Sequence, residues 1–361
     1  MGEVTYRVEK LHGRPIVDGS DVRRLRIGAD PNRSRLRGDA MFPTVVRIPD
    51  WVPARDRAHS DANYYLYFAS HHGTSIHMAW SDRVDLAEWT IFNAGRLDDP
   101  RFPGRGVFDL RLGNETETID VVDGIVLKGH VSSPEVIVDD DNRQFIMVVH
   151  GSSNDGQRSF VATSKSGLNF NRPEVGGEEG GGLKRLKFAD RNYLRVFTYH
   201  GDWYGFAQRG FFLEPAVPEC PWDTPEGWNT SDPLWVSAES SPIEDDLVAD
   251  GLAGDHLPNG GLGLRHGSVR VMEDGETLEV FYSRKWEEPE YIMRSTVDLS
   301  AGDWQAWQTS YPPEDMVRAE EDWEGDVVHD SYAFKEDGQL YLFYTCWEED
   351  AIAVAKLNKV Q

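Results

Sequence analysis

Short runs of β-branched and aromatic residues recur along this chain, and Gly, Pro, Asn or Asp breaks them roughly every 8–12 residues. Apolar positions at helical spacing are hard to find, so the pattern predicts an all-β protein. The clearest unit begins at Leu264-Arg265-His266-Gly267-Ser268-Val269 and turns at Glu273-Asp274-Gly275-Glu276. It continues through Leu278-Glu279-Val280-Phe281-Tyr282-Ser283-Arg284. It reads as strand, turn, strand, with Tyr291 to Ser295 as a third strand.

Variants of this unit recur. Phe42 to Ile48, Tyr64 to Ser70, Ser75 to Ser81 and Trp89 to Phe92 form one. Ser133 to Val138, Gln144 to Val149 and Phe160 to Ser164 form another. Leu194 to Phe197 with Trp203 to Ala207 begins a third. After the Leu264 unit, Asp330 to Phe334, Leu340 to Thr345 and Ile352 to Ala355 make the last. Such a unit cannot bury both faces alone, and five copies predict radial closure into a five-bladed β-propeller. A single domain over 1–361 is expected, with blades near 41–92, 131–170, 193–215, 264–299 and 329–357. The last module shows three good strands, and the alternating Thr5 to Leu11 would supply its fourth and latch the ring. Segments 93–130 and 211–263 read as insertions able to wall a pocket. A β-sandwich or solenoid fits less well, because long connections separate the modules and not the strands within them.

Charge narrows the partners. The 361 residues carry 37 Lys and Arg against 62 Asp and Glu, a net charge of −25. A nucleic-acid backbone needs clustered cations and is disfavoured. The 12 Trp and 13 Tyr suit either sugar-stacking platforms or a β-rich core. Cys220 and Cys346 form neither a disulfide framework nor a zinc spacing. No stretch approaches a membrane span of about 20 apolar residues. The N-terminus lacks a basic start and apolar core, so no membrane partner and a cytoplasmic location are expected. Oligomeric state is not legible.

Propeller geometry selects the residues that matter. The innermost strand of each blade starts at the face to which the second-to-third turn returns. Strand starts bring Met41 and Phe42, His130 with Ser133 and Glu135, Arg195, Arg265 with His266, and His329 with Asp330 to that face. The turns bring His71, His72, His150, Arg284, Trp347 and Glu348. The acidic turns at the other end, Asp139-Asp140-Asp141 among them, are ordinary hairpin chemistry without EF-hand spacing. Several of the His residues are expected to be struts between blades. Glu135 and Asp330 read equally well as structural carboxylates paired with Arg195 or Arg265.

Three groups of segments then carry a resemblance. They are Phe42-Pro43-Thr44-Val45-Val46 with Tyr65-Leu66-Tyr67-Phe68, Ser133-Pro134-Glu135-Val136, and Asp330 to Phe334 with Tyr341-Leu342-Phe343-Tyr344. They resemble blades of the five-bladed propeller glycosidases of glycoside hydrolase family 43 and its relatives. Pro43 through Trp51, His71-His72-Gly73, Tyr193 to Phe197, Arg265 to Gly267 and Phe281 to Arg284 are similar to an uncharacterised bacterial branch. The likeness spans about residues 40–357. It implies the fold and an oligosaccharide substrate. The family's three-carboxylate set is absent: its base Asp corresponds to Phe42, its second Asp to Ser133, and its general-acid Glu has no counterpart at Leu194-Arg195.

Glycoside hydrolysis needs a proton donor and a base or nucleophile. Glu135 and Asp330 are the candidate carboxylates, and a wide separation would mean inversion. His266 or His130 is the candidate acid in place of the missing Glu. Arg195, Arg265 and Arg284 would form a cationic patch for an anionic group such as a uronate or sulfate. His71, His72, His150, Phe42, Trp347 and Glu348 would complete a funnel-shaped binding site, with Trp347 as a stacking platform. No cofactor is required. A divalent ion on His71, His72, His130 and His150 would instead suit a metal-assisted lyase or epimerase. A carbohydrate-binding propeller without catalysis is the third reading.

Overall fold

The computed structural model describes residues 4–19, 40–71, 73–92, 106–110, 118–120, 126–154, 156–171, 182–183, 189, 191–219, 221–222, 227–230, 264–284, 287–307, 309–310 and 313–360. They form five antiparallel sheets, the blades of a five-bladed β-propeller. Blade 1 runs Met41–Arg47, Tyr64–Ala69, Ser75–Ser81 and Thr90–Ile91, and Phe108–Asp109 also pairs with Ser75–Ser81. Blade 2 runs Val126–Asp139, Gln144–Ser153, Gly156–Ser164 and Gly182–Leu183, with Thr118–Asp120 against its first strand. Blade 3 comprises Arg195–Tyr199, Asp202–Ala207, Phe211–Pro215 and Trp228–Thr230. Blade 4 comprises Leu264–Val271, Thr277–Arg284, Ile292–Asp298 and Glu314–Val317. Blade 5 is His329–Glu336, Gln339–Cys346, Ala351–Val360 and then Thr5–Lys10.

The two segments that read as insertions therefore contribute to sheets. Residues 108–109, 118–120 and 126–130 extend blades 1 and 2, and 211–215 with 228–230 complete blade 3. These short pieces lack the alternation that marks a strand in sequence.

Local chemistry fixes the hairpins. Tyr199 pairs with Asp202 across His200-Gly201, and Glu336 pairs with Gln339 across Asp337-Gly338. All four linking residues have positive φ, from 48° to 90°. That is the turn whose twist matches two antiparallel strands.

The second strands are the most apolar. Every residue of Tyr64–Ala69 is buried, because neighbouring blades cover both faces. The core accordingly gathers in clusters between blades. One joins Phe68 and Val45 of blade 1 to Phe343 and Val354 of blade 5. Full burial of such a Phe contributes about 1.5–3 kcal/mol. The ring is closed by the N-terminal strand, whose Thr5 to Lys10 pair with Val360 to Ala355. Tyr6 Oη donates to Glu279 Oε1 of blade 4 at 2.8 Å, and Lys10 Nζ donates to Glu324 Oε2 at 2.6 Å. Cys346 is buried, which pushes its thiol pKa up and makes it inert. No helix among the described residues is long and apolar enough to cross a membrane.

Candidate active site

The inner strands begin with a shared irregularity. In blade 1 Met41 faces Ala69 and Thr44 faces Tyr67, so three steps on one strand oppose two on the other. Blade 2 repeats this from Ser132 to Glu135, blade 4 from Leu264 to Gly267 and blade 5 from His329 to Tyr332. The extra residue is a β-bulge, a device that re-aims a side chain. Inside the bulge Phe42, Ser133 and Asp330 have φ of 57°, 48° and 51°. Tyr193 of blade 3, at 55°, stands at the same offset, three residues before Val196 as Phe42 is before Val45. Register gives Arg265 the matching place in blade 4. A left-handed conformation costs a side-chain-bearing residue about 1–2 kcal/mol. It persists where the surroundings over-determine it, commonly at functional sites.

These five residues form a mouth layer where the inner strands start. Phe42 and Tyr193 belong to non-adjacent blades, yet their ring centroids are 6.0 Å apart, so they meet across the channel. Tyr193 packs on His150 at 4.3 Å, and His150 meets His130 edge-on at 5.0 Å. His130 Nδ1 lies 3.2 Å from the Gly73 carbonyl oxygen, joining blade 2 to blade 1. A Cβ at Gly73 would stand 2.2 Å from Ser70 Oγ, so a side chain there would require the serine hydroxyl to turn away.

The mouth also carries polar groups. Asp330 is 0% exposed, and its Oδ2 is 2.8 Å from His329 Nδ1. His71 Nδ1 donates to Glu349 Oε2 at 2.6 Å. Burial raises the Glu349 carboxyl, but the hydrogen bond and charge of His71, with the charge of His329, overcome it, so the group sits below its ordinary range. Ser133 Oγ is buried and has no hydrogen-bond partner among the described residues. At the rim Trp347, Glu348 and Glu349 have φ of 55°, 51° and 79°, three left-handed residues in succession. Trp347 N donates to the Glu324 carbonyl oxygen at 2.6 Å, while its side chain stands 50% exposed.

Two residues further along the inner strands is a second layer, a belt of Thr44, Glu135, Arg195, Gly267 and Tyr332. Arg195, 1% exposed, donates from Nε to the Gly267 carbonyl oxygen at 2.9 Å. Its Nη1 donates to the Pro134 carbonyl oxygen at 2.8 Å and to Glu135 Oε2 at 3.0 Å. Thr44 Oγ1 also donates to Pro134 O, at 2.5 Å. Burial raises the Glu135 pKa to about 7, against the lowering charge and hydrogen bond of Arg195.

The residues anticipated from sequence divide between these layers. Phe42, Asp330, His71, His130, His150, Trp347 and Glu348 lie at or beside the mouth. Glu135 and Arg195 do not: they pair with each other in the belt, one layer below Asp330. Arg195 is therefore occupied, and no rim patch includes it. Arg284 is half-buried, 4.0 Å from Glu287. His72 lies outside the described residues, as do the side chains of Arg265 and His266. No group of three His, Cys, Asp or Glu among the described residues could hold a metal ion. His130 and His150 adjoin one another, while His71 turns to Glu349. His329, expected at the blade 5 strand start, does stand beside Asp330, whereas Tyr193 and Glu349 are absent from the residues anticipated at this face. Alignment of the modules on Val45, Val136 and Val196 would have found Tyr193.

No family model matches the chain. An uncharacterised protein of Acanthamoeba polyphaga mimivirus is 25% identical over 344 residues, 88% of this chain and 83% of that protein. Among solved structures, a thermostable family-43 glycoside hydrolase superposes with a TM-score of 0.51 at 15% identity, covering 89% of this chain and 88% of that one. An endo-1,4-beta-xylanase of Bacteroides thetaiotaomicron gives 0.53 at 14% identity, over 90% and 94% of the two chains. An alpha-L-arabinofuranosidase of Lactobacillus brevis gives 0.53 at 12% identity, over 88% and 90%. The chain is a five-bladed propeller resembling these glycosidases, and at such identities the likeness speaks for the fold.

Proposed function

We propose that the protein is a glycoside hydrolase-like enzyme acting on an oligosaccharide at the mouth layer. One observation carries this reading: bulged, left-handed residues ring the start of the channel, and Asp330 is the carboxylate among them. Asp330, oriented by His329 and excluded from water, is assigned as base. In a dry setting its charge acts on a bound substrate more strongly than it would in solvent. His130 and His266 are the assigned proton donors, as imidazolium groups titrate near neutrality. Tyr193, beside His150, supplies a phenol to the same space. Trp347 offers a stacking face for a sugar ring at the rim. An anionic substituent would have to meet Arg284 and Arg265, because Arg195 is occupied in the belt. Within the resemblance, the His-His-Gly turn favours the uncharacterised bacterial branch.

A second reading, a carbohydrate-binding propeller without turnover, is favoured by two features. Phe42 and Ser133 stand where the resemblance implies two carboxylates and Leu194-Arg195 offers no counterpart to the third, and Asp330 has no solvent exposure. One experiment separates the readings. Neutral, uronate-bearing and sulfated oligosaccharides are screened for reducing-end release, with Asp330→Asn in parallel. Release that disappears in the variant supports the enzyme. Saturable binding without release by the native chain supports the second reading, and release that survives in Asp330→Asn sinks the assignment of the base.

A further inference from the structure

Beyond the belt the channel opens again at the opposite end of the ring, where the inner strands finish. A cavity of about 700 Å³ lies there between blades 1, 2 and 5. Trp51, Ile137, Tyr332 and Phe334 line it, and Glu135 of the belt lines it as well. The Trp51 indole is fixed in advance. Its Nε1 donates to Asp140 Oδ1 at 2.8 Å and its ring lies 5.5 Å from that of Phe145.

The belt residues at this cavity keep hydrogen-bonding capacity. Glu135 engages Arg195 through Oε2, and no described group donates to its Oε1. The Tyr332 hydroxyl makes no hydrogen bond with the described residues. Arg195 Nη2, on the guanidinium that holds Glu135, is buried without a hydrogen-bond partner among the described residues, though Arg195 does not itself line the cavity. Polar groups that line a cavity with hydrogen-bonding capacity unused, as Glu135 and Tyr332 do, mark a place where a ligand can complete them. Aromatic walls with a few convergent polar groups are the make-up of a small-molecule site.

We propose that this far end of the channel is a second ligand site, distinct from the mouth layer, and that it takes a neutral cyclic polyol such as a free monosaccharide. Neutrality follows from the belt. Glu135 and Arg195 already pair with each other, so a charged ligand would enter a buried place with no free counter-charge among the described belt residues. Adjacent hydroxyls meet both needs at once, donating to Glu135 Oε1 and accepting from the Tyr332 hydroxyl. The C–H face of the ring then packs on Trp51 or Phe334.

The test uses the full chain and saturation-transfer NMR titrations with L-arabinose, D-xylose, D-galactose and myo-inositol. At least one probe is expected to bind saturably. Tyr332→Phe removes one hydroxyl and should weaken that binding about tenfold, the worth of one buried hydrogen bond. Ile137→Trp fills the cavity from a half-buried position and should abolish it. Asp330→Asn and Trp347→Ala, at the other end, should leave it unchanged, and thermal melts report whether each variant is folded. Absence of saturable binding by all four probes overturns the proposal. So does binding that survives Tyr332→Phe and Ile137→Trp but falls with Trp347→Ala, which would assign it to the mouth. This site stands or falls apart from turnover: a chain that hydrolyses nothing can still bind here.

Discussion

The mouth and the belt lie two residues apart on the same strands and differ in almost every physical respect. Mouth residues are held in left-handed conformations, at Phe42, Ser133, Tyr193 and Asp330. Belt residues are extended and tie blade to blade, with Arg195 reaching from blade 3 to blades 2 and 4. One layer stores strain, and the other supplies cohesion. The mouth should therefore be judged by what it does to a ligand, and the belt by what it does to the fold. Substitutions two positions apart should have opposite signatures, which makes the contrast testable.

The largest effect is expected from Arg195→Met. It deletes three hydrogen bonds and leaves the Glu135 carboxylate buried without its partner. Breaking a buried pair in this way costs about 3–5 kcal/mol. Urea unfolding monitored by tryptophan fluorescence would measure it. A loss below about 1 kcal/mol would mean that the belt is not the cohesive layer. Asp330→Asn, in the mouth, should do the reverse. The side chain keeps its shape, the fold persists, and any glycosidase turnover drops by about 10²–10⁴, the usual worth of a general base. A variant that unfolds the protein would move Asp330 into the structural class.

How far the sequence reveals this arrangement depends on the feature. Blade strands are readable because Tyr64–Ala69 and Leu340 to Tyr344 are continuous apolar runs near turns rich in Gly, Asn and Asp, and burial on both faces demands that composition. The two-layer division was not readable. It depends on one extra residue in each inner strand, and a bulge leaves no mark in apolar periodicity. Counting by strand alone therefore puts Glu135 beside Asp330, and takes Leu194-Arg195 as the strand start of blade 3, which leaves Tyr193 out of the site. The Glu349 contact with His71 was hidden for another reason, since it joins the last blade to the first across 278 residues.

A smaller effect separates the layers by pH. The ordinary carboxyl value for Glu135 is 4.5, and burial raises it to about 7 in the fold. Between those values the folded chain holds a proton that the unfolded chain has released. The stability from this group is thus fully present below about pH 4.5 and is lost as pH rises through 7. Unfolding free energies at pH 5 and pH 8 should differ less in Glu135→Gln than in the native chain. Glu349, lowered in the mouth by His71 and His329, has the opposite sign: its contribution is present above the ordinary carboxylate range and fades as pH falls. Glu349→Gln should therefore flatten only the acid side of the profile. Equal slopes for native and Glu135→Gln chains would remove the belt from the pH account.

The smallest effect concerns strain itself. Ser133 is buried at φ 48°, and its Oγ has no hydrogen-bond partner among the described residues. Glycine accepts that conformation without the left-handed penalty of about 1–2 kcal/mol. It also removes a buried hydroxyl that lacks a partner. Against this stands the greater freedom of glycine in the unfolded chain, roughly 0.5–1 kcal/mol. Ser133→Gly should therefore stabilise the protein by about 1 kcal/mol, a small rise in Tm. Thr44→Gly, two positions from its own bulge but in the belt, should destabilise, since it deletes the hydrogen bond to Pro134 and gains no conformational relief. If Ser133→Gly raises Tm and weakens oligosaccharide binding or turnover, the serine is kept for what it does to substrate. If it raises Tm and changes neither, strain at that blade serves only to turn the strand. If it lowers Tm, the bulge is not strained there, and the contrast between mouth and belt loses its physical basis at blade 2.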